Sequence, residues 1–232
     1  MVKEVRHIPE AEGWLSLVSD QGRKKIVDAC SIREADAGKI LYRAGDPPNG
    51  LYCLLSGSVR MDTLQSTHGP TLLGLFHTGA WLGEVEMFSS VGRVVTLTAL
   101  RPIQYAHIRA SSIETIGEEH PEIWRALGHL AAEKVCLAVA SLDDLMIRSS
   151  TQRLSAVLLR LCGARLDIPF GEIATELDVT QSELAQLANL SRGMVGRMLD
   201  SMEKDGQIER RYGRISIIEI EDLKKRLTDE ST

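Results

Sequence analysis

The feature that most limits how this chain can fold is a change of hydrophobic period near residue 120. From Pro121 onward, Leu127, Leu130, Ala131, Val135, Ala138, Leu142 and Leu145 recur at mostly three- and four-residue steps, and no Gly or Pro interrupts them after Gly128. That spacing predicts one helix of roughly 25 residues, with Pro121 suited to its first turn. Upstream the period is short. Between Lys39 and about Ala110 the segments KILYRAG, LYCLLSGSVRM, TLLGLF and RVVTLTAL read as strands, separated by turns such as GDPPNG and punctuated by glycines at 45, 50, 57, 74, 79 and 83. An all-β unit therefore precedes the long helix. A stretch with helical spacing and no strong cap, 14–35, comes before the strands, and SSIETIGEEHPEIW predicts a short helix after them.

Beyond the long helix the pattern breaks at Arg148 to Ser150, where TQRLSAVLLRLCG opens a new helix with Ser150 or Thr151 as candidate cap. Two further helical stretches follow, TQSELAQLANL and SRGMVGRMLDSMEKDG, with a sharp break between them. The last segment, GQIERRYGRISIIEIEDL, reads as a hairpin turning near Tyr212 and Gly213. The expectation is an α+β chain in three parts, 1–120, 121–148 and 149–232. The stripe from Leu127 to Leu145 can pack on its own domain or on a second copy, and with no long helical neighbour nearby the near-heptad spacing favours a second copy, a homodimer.

The second helical pair carries the candidate chemistry. Thr180 to Gly206 has the layout of a helix-turn-helix, with Leu184, Leu187 and Ala188 apolar on the first helix, a break at Asn189 to Ser191, and a second helix that Ser191 can cap. On that second helix Val195, Met198 and Met202 form the expected core-facing stripe, leaving Arg192 and Arg197 outside it. Arginine is the residue that best reads guanine, through a two-pronged hydrogen bond in the major groove. A small helical bundle with two solvated arginines is the plainer alternative. Against it stands the hairpin, whose turn Glu209 to Arg214 is largely basic and sits where a wing would meet phosphates, with Arg211 the candidate contact. The formal net charge of −5 excludes binding by bulk electrostatics, so any DNA contact must be local.

Other classes are weakly supported. Cys30, Cys53, Cys136 and Cys162 are scattered with no C-x-x-C pair, the pattern of reduced, buried thiols and not of a zinc or iron–sulfur site. His68, His77, His107, His120 and His129 have no metal-ligand spacing, so no metal is expected. There is no catalytic triad set and no P-loop, so no enzyme is expected. No apolar run approaches the roughly 20 residues that span a bilayer, and MVKEVRHIPEAEGW lacks a signal's apolar region, which places the chain in the cytoplasm.

On these residues the sequence resembles the Crp/Fnr family of cyclic-nucleotide and redox regulators, from about residue 15 to 225. LYRAGDPPNGLYCLLSGSVRM is similar to the family's opening β-roll pattern, WLGEVEMF to its Gly-Glu phosphate-cassette start, and TQSELAQLANLSRGMVGRML to its DNA-binding signature. The resemblance implies an N-terminal β-roll of the jelly-roll kind that senses an effector, a long dimerisation helix and a C-terminal winged helix-turn-helix. Implied partners are double-stranded DNA, a second copy and RNA polymerase, with no membrane. Thr180 and Gln181 match backbone-contacting positions, and Ser191, Arg192 and Arg197 match the reading head. Gly193 stands where many relatives carry a glutamate, so an acceptor for cytosine is missing and the target site should differ.

The resemblance also implies ligand positions. Gly83 and Glu84 match the ribose-side pair and Arg93 the phosphate-binding arginine, but Val94 replaces the family's serine. Ala138 and Val139 stand where cyclic-AMP receptors carry hydroxyls facing the base. Each lost hydrogen bond removes about 0.5 to 1.5 kcal/mol, so cyclic AMP or cyclic GMP should bind modestly and be poorly told apart. Another effector, or none, remains open, as does an internal ion pair between Glu84 and Arg93. A sensing module that regulates a protein partner is the alternative function. A mobility shift on genomic fragments separates it from a DNA-binding regulator.

Overall fold

The computed structural model describes residues 8–9, 13–63, 70–89, 92–147, 149–165 and 173–228. His68 lies outside them. Contacts divide the chain into two compact units, 1–133 and 134–232.

The first unit begins with a 3-10 turn, Gly13–Leu17, and helix α1, Asp20–Ala29. Ser19 caps α1 by accepting from the Gly22 N–H, so the cap that the sequence seemed to lack is present. The helical pattern expected to reach residue 35 stops at Ala29, and Ser31–Ala35 form strand β1 instead. Strands β2 (Ile40–Tyr42), β3 (Leu51–Ser56), β4 (Ser58–Thr63), β5 (Leu72–His77), β6 (Trp81–Leu82), β7 (Val95–Ala99) and β8 (Ile103–Ile108) follow. They make two four-stranded antiparallel sheets, ordered β1-β8-β3-β6 and β2-β7-β4-β5. The partner of β1 is β8, some seventy positions on, which outweighs its local helical spacing.

Why β3 reads as an unbroken apolar run is visible in its two faces. Tyr52 and Leu54 join the cluster between the sheets with Tyr42, Val59, Leu97 and Tyr105. Leu51, Cys53 and Leu55 point the other way, into a cluster with Trp14, Ile26, Ile113 and Ile123. A strand covered on both sides loses the polar alternation of a half-exposed one. Gly57 is the single residue between β3 and β4. Its φ is +78°, and a Cβ there would stand 2.7 Å from the Pro102 carbonyl oxygen, so only glycine lets the chain cross from one sheet to the other.

Helix α2 (Ala110–Glu119) leads to α3 (Glu122–Met146), the long helix expected from the sequence. Its stripe is divided. Ile123, Ala126, Leu127 and Leu130 are buried in the first unit's own core, whereas Val135 is 62% exposed and Leu142 65%. The stripe read from Leu127 is therefore not one uniform face: its first turns belong to the first unit's core and its later apolar residues are exposed.

The second unit holds the end of α3, then α4 (Ser150–Leu161), β9 (Glu176–Leu177), α5 (Gln181–Leu187), α6 (Arg192–Lys204), β10 (Ile208–Arg211), β11 (Arg214–Ile217) and α7 (Ile220–Thr228). The sheet order is β10-β11-β9. Helix α7, which the sequence reading did not anticipate, packs on α4. Asp144, fully buried near the end of α3, accepts from Arg160 of α4 and from Arg165, each at 2.9 Å. Among the described residues no helix is long and apolar enough to cross a membrane.

Candidate effector cradle and DNA-reading surface

In the first unit, strand β6 ends in Gly83 and a 3-10 turn, Val85–Met87, before the chain returns as β7. Gly83 has a φ of +99°, and a Cβ there would lie 2.6 Å from Arg93 Nη1 and 2.8 Å from the Gly50 carbonyl oxygen. Its glycine is required by close approach as well as by backbone conformation. The approach is made by Arg93, whose side chain is wholly buried. Arg93 Nη1 donates to the Gly83 carbonyl at 3.3 Å and to Glu86 Oε2 at 2.9 Å. Nη2 donates to Asn49 Oδ1 at 2.7 Å and to the Gly50 carbonyl at 2.6 Å. The guanidinium lies over the Tyr42 ring, 4.3 Å from its centroid.

A carboxylate that answers Arg93 is that of Glu86. The other oxygen of Glu86, Oε1, accepts from the Val94 backbone N–H at 3.2 Å. Both Glu84 and Glu86 are buried, and the ion pair drawn to Arg93 is that of Glu86. A second acid two residues after the Gly-Glu pair, in an otherwise apolar segment, was the available signal for it. Val94 contributes its backbone here while its side chain is half-exposed. Ala138 and Val139 are exposed on α3, within the second unit.

Burial raises the Tyr42 and Tyr52 phenols, so both remain neutral hydrogen-bonding or stacking groups. It lowers His107, whose Nε2 stands 3.2 Å from the Asn49 carbonyl oxygen. Burial likewise raises three of the four thiols, Cys30 being pushed up to about 12 and Cys53 and Cys162 also raised, whereas Cys136 lies exposed and departs from the expected buried pattern.

In the second unit, Thr180 and Glu183 form a reciprocal cap at the start of α5, with the Glu183 N–H donating to the threonine hydroxyl at 3.2 Å and Glu183 Oε2 accepting from the Thr180 N–H at 2.8 Å. The helix ends at Leu187, and Asn189 just beyond it is the one described non-glycine residue with positive φ, at +50°. The Leu190 N–H then returns to the Ala185 carbonyl, which closes the turn. Ser191 caps α6 by accepting from the Met194 N–H. Gln181 faces Gly196 of α6, where a Cβ would come 3.6 Å from Oε1 of Gln181.

Val195, Leu199 and Met202 are the buried face of α6. Met198, expected in that stripe, is half-buried beside the Thr151 hydroxyl, and Leu199 holds the core position. Arg192, Gly193 and Arg197 lie exposed on the outer face. Neither arginine has an ion pair among the described residues. A Cβ at Gly193 would meet only Arg197 Nη1, at 3.9 Å, so no packing constraint demands glycine there.

The hairpin turns at Tyr212 and Gly213 as expected, but its basic character is balanced. Arg210 pairs with Asp200 and Glu203, Arg214 with Asp178 and Glu176, and Arg211 with Glu209 at 3.1 Å. Arg211 and Glu209 are both well exposed, and such pairs are worth about 0 to 1 kcal/mol, so Glu209 holds Arg211 only weakly.

A family model described as the cyclic nucleotide-binding domain matches residues 32–120, and one described as the Crp-like helix-turn-helix domain matches residues 152–226. The chain is 25% identical over 188 residues to the cAMP-activated global transcriptional regulator Vfr of Pseudomonas aeruginosa, a match covering 79% of this chain and 87% of that protein. Among solved structures it is similar to FixK2 of Bradyrhizobium japonicum, with a TM-score of 0.71 and 16% identity, covering 84% of this chain and 96% of that one. It is also similar to the c-di-GMP responsive regulator CLP of Xanthomonas campestris, with a TM-score of 0.64 and 24% identity, covering 86% and 99%.

Proposed function

The chain belongs to the Crp/Fnr family of transcription regulators, and from that premise we propose that it works in the cytoplasm as a homodimeric, sequence-specific DNA-binding regulator of RNA polymerase. In this reading 1–120 is the sensing β-roll, 121–148 the dimerisation helix and 149–232 the DNA-binding part. The observation that carries it is the contrast among the arginines of the second unit. Those of the wing have carboxylates of their own, whereas Arg192 and Arg197 stand exposed and unpaired among the described residues on one face of a capped helix. Guanidiniums left without an internal anion are the groups free to read base edges.

Arg192 and Arg197 are assigned to bases, and Thr180, Gln181 and Ser191 to the backbone beside them. Arg211 is assigned to a phosphate. Gly193 offers no acceptor, which moves the preferred base at that position away from cytosine. In a binding titration at fixed salt, Arg197→Ala should lose about 1 to 3 kcal/mol at one base pair and relax specificity there. Arg211→Ala should weaken all sequences alike and lower the salt slope by about one. Equal, sequence-independent losses for both would show that α6 is not the reading helix.

The effector implied by the first domain is a cyclic nucleotide, which Gly83, Glu84, Arg93 and Val94, with Ala138 and Val139, would be the positions to hold. The residues do not fit it as they stand. Four acceptors already take the two terminal nitrogens of Arg93, one of them an anion. Cyclic AMP belongs to the description of the Pseudomonas relative, and no regulatory step is assigned to it in this chain.

A further inference from the structure

We propose that Glu86 is a built-in ligand of the β-roll, its carboxylate taking the place of an effector's phosphate and closing the cradle to cyclic nucleotides. The inference rests on the reading of this unit as the family's effector domain and adds what that domain accepts.

The argument is one of donors and charge. A cyclic phosphodiester presents two non-bridging oxygens and one negative charge. The Glu86 carboxylate presents the same, and spends one oxygen on Arg93 Nη1 at 2.9 Å and the other on the Val94 N–H at 3.2 Å. A side-chain guanidinium and a neighbouring backbone N–H are the donor pair that a phosphate would need. Every other Nη contact of Arg93 goes to a fixed acceptor, Gly83, Gly50 or Asn49. Only Nε has no partner among the described residues, a single donor where paired oxygens require two.

Burial makes the occupation firm. The Arg93 and Glu86 side chains are 0% and 2% exposed, so a guanidinium deprived of its carboxylate would be left uncompensated in a dry interior. A phosphate entering beside Glu86 would place two anions against one cation, and expelling Glu86 would strand a buried carboxylate. Either route opposes nucleotide binding. The Tyr42 ring beneath the guanidinium adds a contact that holds Arg93 in this arrangement.

The test is calorimetry of the full chain with cyclic AMP and with cyclic GMP, repeated on Glu86→Ala and Glu86→Gln. The unaltered chain should give no saturable heat, and the Glu86 variants should bind at least about tenfold more tightly. Because Glu86→Ala leaves Arg93 without a counter-charge, thermal melting is the second readout. Cyclic AMP should raise the Tm of the Glu86 variants and leave that of the unaltered chain where it is. Saturable binding by the unaltered chain that Arg93→Ala abolishes overturns the proposal, as do Glu86 variants that nucleotide neither binds nor stabilises. DNA titrations without nucleotide separate this from the wider reading: loss of DNA binding there would count against the regulator, not against the occupied cradle.

Discussion

His107 carries the pH sensitivity that can be read at the level of a single residue. It lies on β8 with its ring 4.7 Å from that of Tyr52, and burial, with Arg33, Arg93 and Arg109 nearby, holds its pKa below the ordinary 6.5. The unfolded chain therefore takes up the proton more readily than the folded one. Stability present above the ordinary value is lost as pH falls through it toward the folded value. Urea midpoints measured from about pH 8 to about pH 5 should fall on the acid side, and His107→Gln should flatten that limb. An identical acid limb in both proteins would assign the loss elsewhere. At this scale Gly83 and Arg93 were legible through the likeness of their segment to the family's motif. Glu86 was not, because its partner is brought to it only when the turn after β6 folds against the start of β7.

Among the elements, α3 does two jobs along its length. Leu127 is fully buried in the first unit's core, so Leu127→Glu should unfold that unit and not merely separate subunits. Val135, Ala138, Val139 and Leu142 share an exposed apolar face, so Leu142→Glu should keep the helical circular-dichroism signal and sediment as a monomer. A folded Leu142→Glu dimer would place the seam elsewhere. The end of the same helix is tied to α4 and Arg165 through Asp144, and Asp144→Ala would leave two largely buried arginines without that carboxylate. Removing one partner of a buried pair costs about 3 to 5 kcal/mol, which a urea titration of the altered chain would register. The wing is similar in kind. Its basic sequence was plain, but the carboxylates that offset it come from α6, from β9 and the residue just after it, and from the wing itself.

For the whole molecule, a dimer built on α3 presents two α6 helices, so its target should be two half-sites about one helical turn, roughly 34 Å, apart. Inserting about five base pairs between half-sites turns one to the opposite face of the duplex and should reduce affinity to that of a single half-site. Unchanged affinity would mean that the copies bind independently. The net charge of −5 makes this geometry matter more, since two local contacts must supply what bulk attraction does not.

What the sequence determined by itself were the features written in short-range order: the long helix, most strands of the β-roll, the capped helix pair, the hairpin turn at Tyr212 and Gly213, and the arginines of α6. Periods of two and 3.6, caps and turn residues act within a few positions, so they can be read without knowing what packs opposite. Tertiary structure decided the rest. It made a strand of Ser31–Ala35 by supplying β8, divided the stripe of α3 between a core and an exposed face, and gave Arg93 to Glu86. Each of these depends on which distant surface removes water from a residue and which opposite charge arrives with it, and neither is a property of the residue's own neighbours in the chain.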